Sequence, residues 1–249
     1  MNRDIIKSYN FHSETLKNLD KFCWWVQNVY QWPFKSRDLL DKLDIIAKKA
    51  ETSEDNKTQL KIKVRHISNT TRDWRGKHQR NLDIYDHEIE RKVLALFSEL
   101  FVYDNLINNN FTDIAFIVES NKPTPDIMCK KDNSVYYVEV KRIQNPRDED
   151  TALRTCGMFS NSVNINYREA VEKKIVDFIN NAGRKFNSMS TLNNLGKHQK
   201  ILVLDFCAGI DTILENKSNA NLQDIFGKNF FDNLNSKYNM TIYTKKYLQ

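Results

Sequence analysis

The spacing of apolar residues in the first third of the chain predicts helices. Apolar residues recur at helical intervals over 16–30, after a capping Ser13, and again over 36–46. The polar stretch 51–58 is typical of a linker, and apolar and polar residues alternate over 60–64 as they do in a strand. The sequence therefore predicts a mostly helical accessory region over residues 1–80.

From residue 81 onward, the pattern predicts strands alternating with helices. Asp132, Asn133 and Ser134 have a turn composition between two strand-like segments, so these segments are predicted to form a hairpin. The predicted elements, in chain order, are a helix over 86–103 capped by Asp86, strands over 114–118, 126–131 and 135–143, a helix over 170–186, a strand over 201–206, a helix over 222–234 and a strand over 240–243. This order predicts an α/β domain over 81–249 with a mixed central sheet and flanking helices.

Composition limits the class of protein. No apolar run approaches the roughly 20 residues that a membrane-spanning helix needs, and the first residues contain no apolar signal core. The four cysteines are scattered, with neither a C-x-x-C pair nor a histidine at zinc-ligand spacing. We therefore expect a soluble cytoplasmic protein with reduced thiols, no membrane partner and no zinc finger.

The net charge of +6 is concentrated in one stretch of the chain. Residues 57–80 contain eight lysines and arginines against a single aspartate, which gives this stretch a charge of +7. Basic side chains around an aromatic ring can bind phosphates and stack a base. The predicted nucleic-acid contacts are Arg72, Trp74, Arg75 and Lys77. The alternative is a solvated basic surface with Trp74 packed on the domain.

One strand of the predicted hairpin carries polar residues where a buried strand should be apolar. Because side chains alternate along a strand, Tyr137, Glu139 and Lys141 share one face, and the intervening valines share the other, which is predicted to pack on the core. Asp126 begins the preceding strand, so the hairpin brings it beside Glu139. A buried carboxylate and ammonium are costly unless they are paired or used. The alternatives are therefore a structural ion pair and a metal site.

Two convergent carboxylates suit Mg²⁺, which takes oxygen ligands and keeps several waters. The predicted ligands are Asp126, Glu139 and the backbone carbonyl of Val140, with Mn²⁺ as a substitute ion. Such a site would activate a water for attack on a phosphodiester. Lys141 would orient that water, stabilise charge in the transition state or act as a base, and the sequence leaves these roles open. E-x-K occurs four times in the chain, but only Glu139/Lys141 lies on an apolar strand after a Pro-Asp pair.

Pro125-Asp126 followed by Glu139-Val140-Lys141 resembles the motif of the PD-(D/E)XK nuclease superfamily. The predicted element order over 86–206, about half of the chain, also resembles the αβββαβ core of that restriction-endonuclease-like fold. The resemblance implies Mg²⁺-dependent hydrolysis of phosphodiesters. It further implies that Asp126 and Glu139 bind the metal and that Lys141 is the catalytic lysine.

Many members of that superfamily use a further glutamate on the helix before the first strand. Among Glu88, Glu90 and Glu99, we choose Glu90, because the residues three and four positions after it are apolar and place it at the edge of the inward face. The alternative is a carboxylate favoured by the helix dipole. Arg142 follows the motif directly and is predicted to contact phosphate, with a surface role as the alternative.

The resemblance implies a DNA endonuclease of the restriction or phage-defence type, and it favours DNA over RNA because most members of that superfamily act on DNA. We expect a homodimer, because cutting two strands needs two sites or two events. One alternative is a catalytically silent nucleic-acid-binding module of the same fold. The other is an exonuclease or junction resolvase, which would use the same chemistry on a different substrate.

Overall fold

The computed structural model describes residues 11–19, 36–77, 82–117, 123–143, 164–193, 199–206 and 228–245. The chain divides into two compact units, Met1–Phe116 and Ile117–Gln249. The boundary predicted between residues 80 and 81 stays a prediction, because residues 78–81 lie outside the described segments.

The first unit is mostly helical. After a short 3-10 helix at Leu16–Leu19 come α1 (Ser36–Ala50), α2 (Glu54–Lys77), α3 (Leu82–Asn108) and the strand β1 (Thr112–Phe116). The predicted cap at Ser13 is confirmed, because its Oγ accepts a hydrogen bond from the Leu16 backbone N–H at 3.1 Å. The rest of the helix predicted up to residue 30 falls outside the described residues. The core of the unit contains Leu16, Leu43, Ile46, Leu60, Val64, Leu96, Leu100 and Phe116.

The strand predicted over 60–64 is wrong, and the linker predicted over 51–58 is confined to residues 51–53, because helix α2 begins at Glu54. Leu60 and Val64 are 0% and 1% exposed, whereas Ile62 is 45% exposed. This burial follows the period of a helix, and the apparent alternation covered too few residues to separate the two periods. The start of the helix fits its sequence, since Ser53 accepts a bond from the Asn56 N–H and two acidic residues occupy the first turn.

Helix α3 is longer at both ends than predicted. It begins at Leu82, so Asp86 lies inside the helix and is not its cap. No glycine or proline between 82 and 86 stops the helix from starting earlier. The predicted break at Asn108–Asn110 is confirmed: Asn110 has φ 62°, and the N–H of Phe111 bonds to the carbonyl of Leu106. This is a Schellman cap with asparagine in the left-handed position.

The second unit alternates strands and helices. Its elements are β2 (Ile127–Lys131), β3 (Ser134–Ile143), α4 (Asn164–Asn193), β4 (Gln199–Phe206), α5 (Lys228–Tyr238) and β5 (Thr241–Lys245). The five strands form one sheet in the order β1-β2-β3-β4-β5. β2 runs antiparallel to β3, while β4 runs parallel to both β3 and β5. The predicted α/β class with a mixed sheet is therefore confirmed.

The hairpin of β2 and β3 is confirmed, with Ile127 opposite Val138 and Lys131 opposite Ser134. Its two-residue turn contains Asp132 and Asn133, both with positive φ, at 49° and 60°. Two consecutive left-handed residues form the turn type whose twist matches that of the adjoining strands. Local turn chemistry thus fixes the register that sets which side chains of β3 share a face.

Both faces of β3 are buried. Val138 is 0% exposed on one face, and Tyr137 on the other is 2% exposed. Tyr137 belongs to the core formed with α4, α5 and the neighbouring strands, together with Ile175, Ile179, Ala182, Phe186, Leu202, Leu204, Phe231 and Ile242. Helix α4 therefore covers the Tyr137 face, which is also the face of Glu139 and Lys141.

None of the described helices combines the length and the apolar character needed to cross a bilayer.

Candidate active site

Asp126 lies alongside Glu139, where the hairpin was predicted to bring them together. The backbone N–H of Asp126 donates to the carbonyl of Val138 at 3.0 Å. Its carboxylate Oδ2 accepts a bond from the backbone N–H of Val140 at 2.8 Å. Val138 and Val140 flank Glu139 on β3, so these two bonds hold Asp126 directly next to it. The Asp126 side chain also completes the hydrogen bonding of the hairpin at that end.

Glu139 is fully buried, and two ammonium groups reach one of its oxygens. Its Oε1 lies 2.5 Å from the Nζ of Lys141 and 2.6 Å from the Nζ of Lys185. Its Oε2 is buried and has no hydrogen-bond partner within the described segments. A buried carboxylate oxygen without a partner is unusual, because it forfeits its interactions with water. It leaves one coordination position of Glu139 open.

Burial raises the pKa of Glu139 from its ordinary 4.5 to about 7, and the adjacent charge of Asp126 acts in the same direction. The charges of Lys141 and Lys185 oppose this rise without cancelling it. The two neighbouring ammonium groups therefore offset only part of the free-energy cost of ionising Glu139 in its buried position. Any further cation bound between the two carboxylates would stabilise that form.

Lys185 is the member of the site that was not identified from the sequence. It lies on α4, and its Nζ is also 3.9 Å from Oδ1 of Asp126. A signal for it exists, since Phe178, Ala182, Lys185 and Met189 follow one another at intervals of four, three and four residues. The other three residues of that stripe pack on the core. A lysine on a helix face that packs on the core is costly unless its ammonium pairs with a buried carboxylate or extends to solvent.

Arg142 is not brought together with the other residues of the site. It follows Lys141 on β3 and therefore points to the opposite face of the sheet. There its guanidinium lies 3.4 Å from the carboxylate of Asp205, a residue that is 4% exposed. The predicted phosphate contact of Arg142 stays a prediction, and the arrangement around Glu139 does not depend on it.

The side chains of Glu90, Arg72, Trp74, Arg75 and Lys77 lie outside the described part of the chain. Their backbone positions are on α3 for Glu90 and on α2 for the four residues predicted to bind nucleic acid. Their predicted roles therefore stay predictions.

Glu99 and the lysines at the start of the basic stretch have ion-pair partners. Glu99, the alternative to Glu90 that the structure describes, lies 2.9 Å from the Nζ of Lys63. At the start of the basic stretch, Lys57 and Lys61 both pair with Glu14. Glu14 thus offsets part of the positive charge at the start of the basic stretch.

The donor set next to Glu139 fits Mg²⁺ better than zinc. Among the described residues, there is no group of three or more His, Cys, Asp or Glu side chains placed to hold a metal. Mg²⁺ is commonly held by one or two carboxylates while it keeps several waters, whereas structural zinc needs four protein ligands. The unpartnered Oε2 of Glu139 and the adjacent Asp126 supply such a pair. The carbonyl of Val140 stays the predicted third ligand.

Comparisons of the chain with protein-family profiles, curated protein sequences and solved structures give no match.

Proposed function

We propose that this chain is a Mg²⁺-dependent nuclease of the PD-(D/E)XK type, with a restriction-endonuclease-like αβββαβ core. One observation carries the proposal: a fully buried glutamate lies beside an aspartate, has one unpartnered oxygen, and is followed by a lysine on the same strand face. A structural ion network of the two carboxylates with Lys141 and Lys185 leaves the open oxygen of Glu139 unexplained.

In this proposal, Asp126 and Glu139 hold the cation, and Mn²⁺ can replace Mg²⁺. When bound, the ion supplies Lewis-acid activation of a phosphodiester and lowers the pKa of a water. Lys141 is 25% exposed along its side chain, so its ammonium can reach a bound phosphate while it stays next to Glu139. Its positive charge then stabilises the negative charge that develops on the phosphoryl oxygens. Asp126 also keeps β2 and β3 in register through Val140, which fixes the distance between the two carboxylates.

DNA is the proposed substrate, and internal cleavage of the restriction or phage-defence type is the proposed reaction. The chain has a net charge of +6, which favours polyanions as partners. The distal half of α2, with Arg72, Trp74, Arg75 and Lys77, is the proposed contact with the backbone and bases.

A second candidate is a nucleic-acid-binding module without catalysis. It is favoured by the charge balance at the site, where two ammonium groups, of Lys141 and Lys185, match the two carboxylates. Such a neutral network can persist without any metal. The two candidates differ in turnover and in the effect of divalent ions.

The test uses closed circular plasmid DNA, which an exonuclease leaves intact and an endonuclease nicks or linearises. We expect the wild-type chain to cut it with Mg²⁺ or Mn²⁺ and to stop when EDTA is added. The variant Glu139→Gln should lose cleavage. The matched control is Glu172→Gln, in which an exposed glutamate of another E-x-K pair on α4 is changed, and it should cut normally. DNA binding by wild type with no cleavage of circular or linear DNA or RNA would establish the second candidate instead.

A further inference from the structure

The two carboxylates of the site are bridged by a lysine from another element. The Nζ of Lys185 is within ion-pair distance of both Glu139 and Asp126, at 2.6 and 3.9 Å. Lys141 reaches Glu139 from its own strand, whereas Lys185 comes from α4 across the covered face of the sheet. The bridge therefore joins the hairpin to the helix.

This bridge holds Oε1 of Glu139 and Oδ1 of Asp126, and it leaves Oε2 of Glu139 open. A cation bound to Oε2 and Asp126 would still lie close to the Lys185 ammonium, because Oε1 and Oε2 belong to one carboxylate. Two cations this close repel each other strongly in a buried site. Metal binding at Oε2 therefore favours departure of the ammonium.

Lys185 is able to leave without disturbing its helix. Its side chain is 23% exposed, so it is not sealed inside the core. The lysine stem has four flexible carbons and can carry its charge several ångströms away. Ala182 and Phe186, on either side of it along α4, are 0% and 1% exposed and stay anchored in the core. The movement is therefore confined to one side chain.

We propose that Lys185 is an internal counter-ion that holds Asp126 and Glu139 together until a divalent cation displaces it. The inference rests on the proposed metal site and adds to it a regulation of metal affinity. In the metal-free protein, Lys185 compensates two adjacent buried negative charges. On metal binding, the cost of displacing it is subtracted from the affinity, so the wild-type site responds only to higher metal concentrations.

The first measurement is the Kd for Mn²⁺ of the full chain without nucleic acid, by isothermal titration calorimetry. We expect Lys185→Gln to lower this Kd by about tenfold or more, because it removes the competing charge. Lys173→Gln, which changes an exposed lysine of the same helix, should leave the Kd unchanged. Thermal melts of both variants, with and without Mn²⁺, check that each is folded.

A second measurement needs no neutral variant and covers the case in which Lys185→Gln does not fold. The ¹⁵Nζ signal of the Lys185 ammonium is followed in the wild-type protein and is assigned by its absence in Lys185→Arg. We expect a signal protected by the ion pairs in metal-free protein, and its disappearance through rapid exchange with water when Mg²⁺ is added.

The outcomes separate the inference from the proposed function. If wild type binds Mn²⁺ and cuts DNA, but Lys185→Gln has an unchanged or higher Kd, Lys185 is not a competitor and the inference fails alone. If the Lys185 signal is unaffected at saturating Mg²⁺, the inference fails as well. If Lys185→Gln binds Mn²⁺ more tightly and no substrate is ever cut, the inference stands and the nuclease proposal fails. If no form of the protein binds a divalent ion, both fail.

Discussion

Replacing Asp126 should lower the free energy of unfolding as well as the activity, because its carboxylate also accepts a backbone hydrogen bond that stabilises the hairpin. Oδ2 accepts the backbone N–H of Val140 at 2.8 Å, and Val140 is only 8% exposed. Asp126→Ala leaves this N–H buried without a partner, which costs about 1–3 kcal/mol. Asp126→Asn keeps an oxygen in the same place and removes only the negative charge. Both variants should lose cleavage, since neither retains the second carboxylate.

Comparing the two variants with each other isolates the hydrogen bond. Each removes the same negative charge beside Glu139, so the electrostatic change cancels between them. We therefore expect Asp126→Ala to be less stable than Asp126→Asn by about 1–3 kcal/mol in the free energy of unfolding. The assay is urea unfolding followed by far-ultraviolet circular dichroism in EDTA. Amide hydrogen exchange at Val140 gives a local readout and should be faster in the alanine variant alone.

Equal free energies of unfolding for the two variants, within about 0.5 kcal/mol, would contradict a stabilising hydrogen bond from Val140 to Asp126. Equal protection of the Val140 amide in Asp126→Ala and in wild type would contradict it as well. Either result would mean that another acceptor replaces Asp126, and that this residue has no structural role in the hairpin.

Three further predictions concern Glu139, the basic residues of α2 and Asn56. The folded-state pKa of Glu139 is raised to about 7, so the stability due to its protonated form is present below pH 4.5 and is lost as the pH rises through 7. This decrease, about 3 kcal/mol without metal, should be absent in Glu139→Gln. Changing Arg72, Arg75 and Lys77 to glutamine should weaken DNA binding. The slope of the logarithm of the binding constant against the logarithm of the salt concentration should become shallower by about 0.9 for each phosphate that is no longer neutralised. Asn56→Ala should cost about 1–3 kcal/mol for each of the two β1 backbone groups that its side chain bonds.

Each of these has a control and a contradictory result. Identical pH profiles of unfolding for wild type and Glu139→Gln would reassign that pH dependence to other groups. For DNA binding, the control is Lys237→Gln, which changes an exposed lysine of α5. If it lowers DNA affinity as much as the α2 variant does, the α2 residues make no specific contact with DNA. For Asn56, the control Asn180→Ala alters an exposed asparagine of α4, and comparable melting of both variants would speak against the bonds to β1.

The hairpin and its site-bearing face were predictable because their determinants are local. Asp132 and Asn133 tolerate the left-handed backbone of the turn, and this sets the pairing of β2 with β3. Alternation along β3 then puts Glu139 and Lys141 on one side. From there, the position of Asp126 beside Glu139 needed only the length of the hairpin.

Features that depend on contacts between distant segments could not be read in the same way. Lys185 follows Glu139 by 46 positions, and the sequence shows a lysine on an apolar stripe without showing which acid it meets. The sequence does not reveal the hydrogen bond from the Val140 N–H to Asp126 either, since it joins a backbone group of one segment to a side chain of another. The strand assigned to Leu60–Val64 failed for a different reason: three apolar residues cannot distinguish a period of two from one of 3.6, and the helix cap at Ser53 was the stronger signal.

The bonds of Asn56 have a consequence for how the protein can be dissected. Its side-chain amide donates to the carbonyl of Ile114 and accepts from the N–H of Phe116, both at 2.9 Å. A recombinant fragment that starts at residue 81 would keep β1 but lack Asn56, so these two backbone groups would lose their hydrogen-bond partner. Any excision or transplantation of the strand therefore has to carry helix α2 with it, and the safer cut in the gene lies upstream of Ser53.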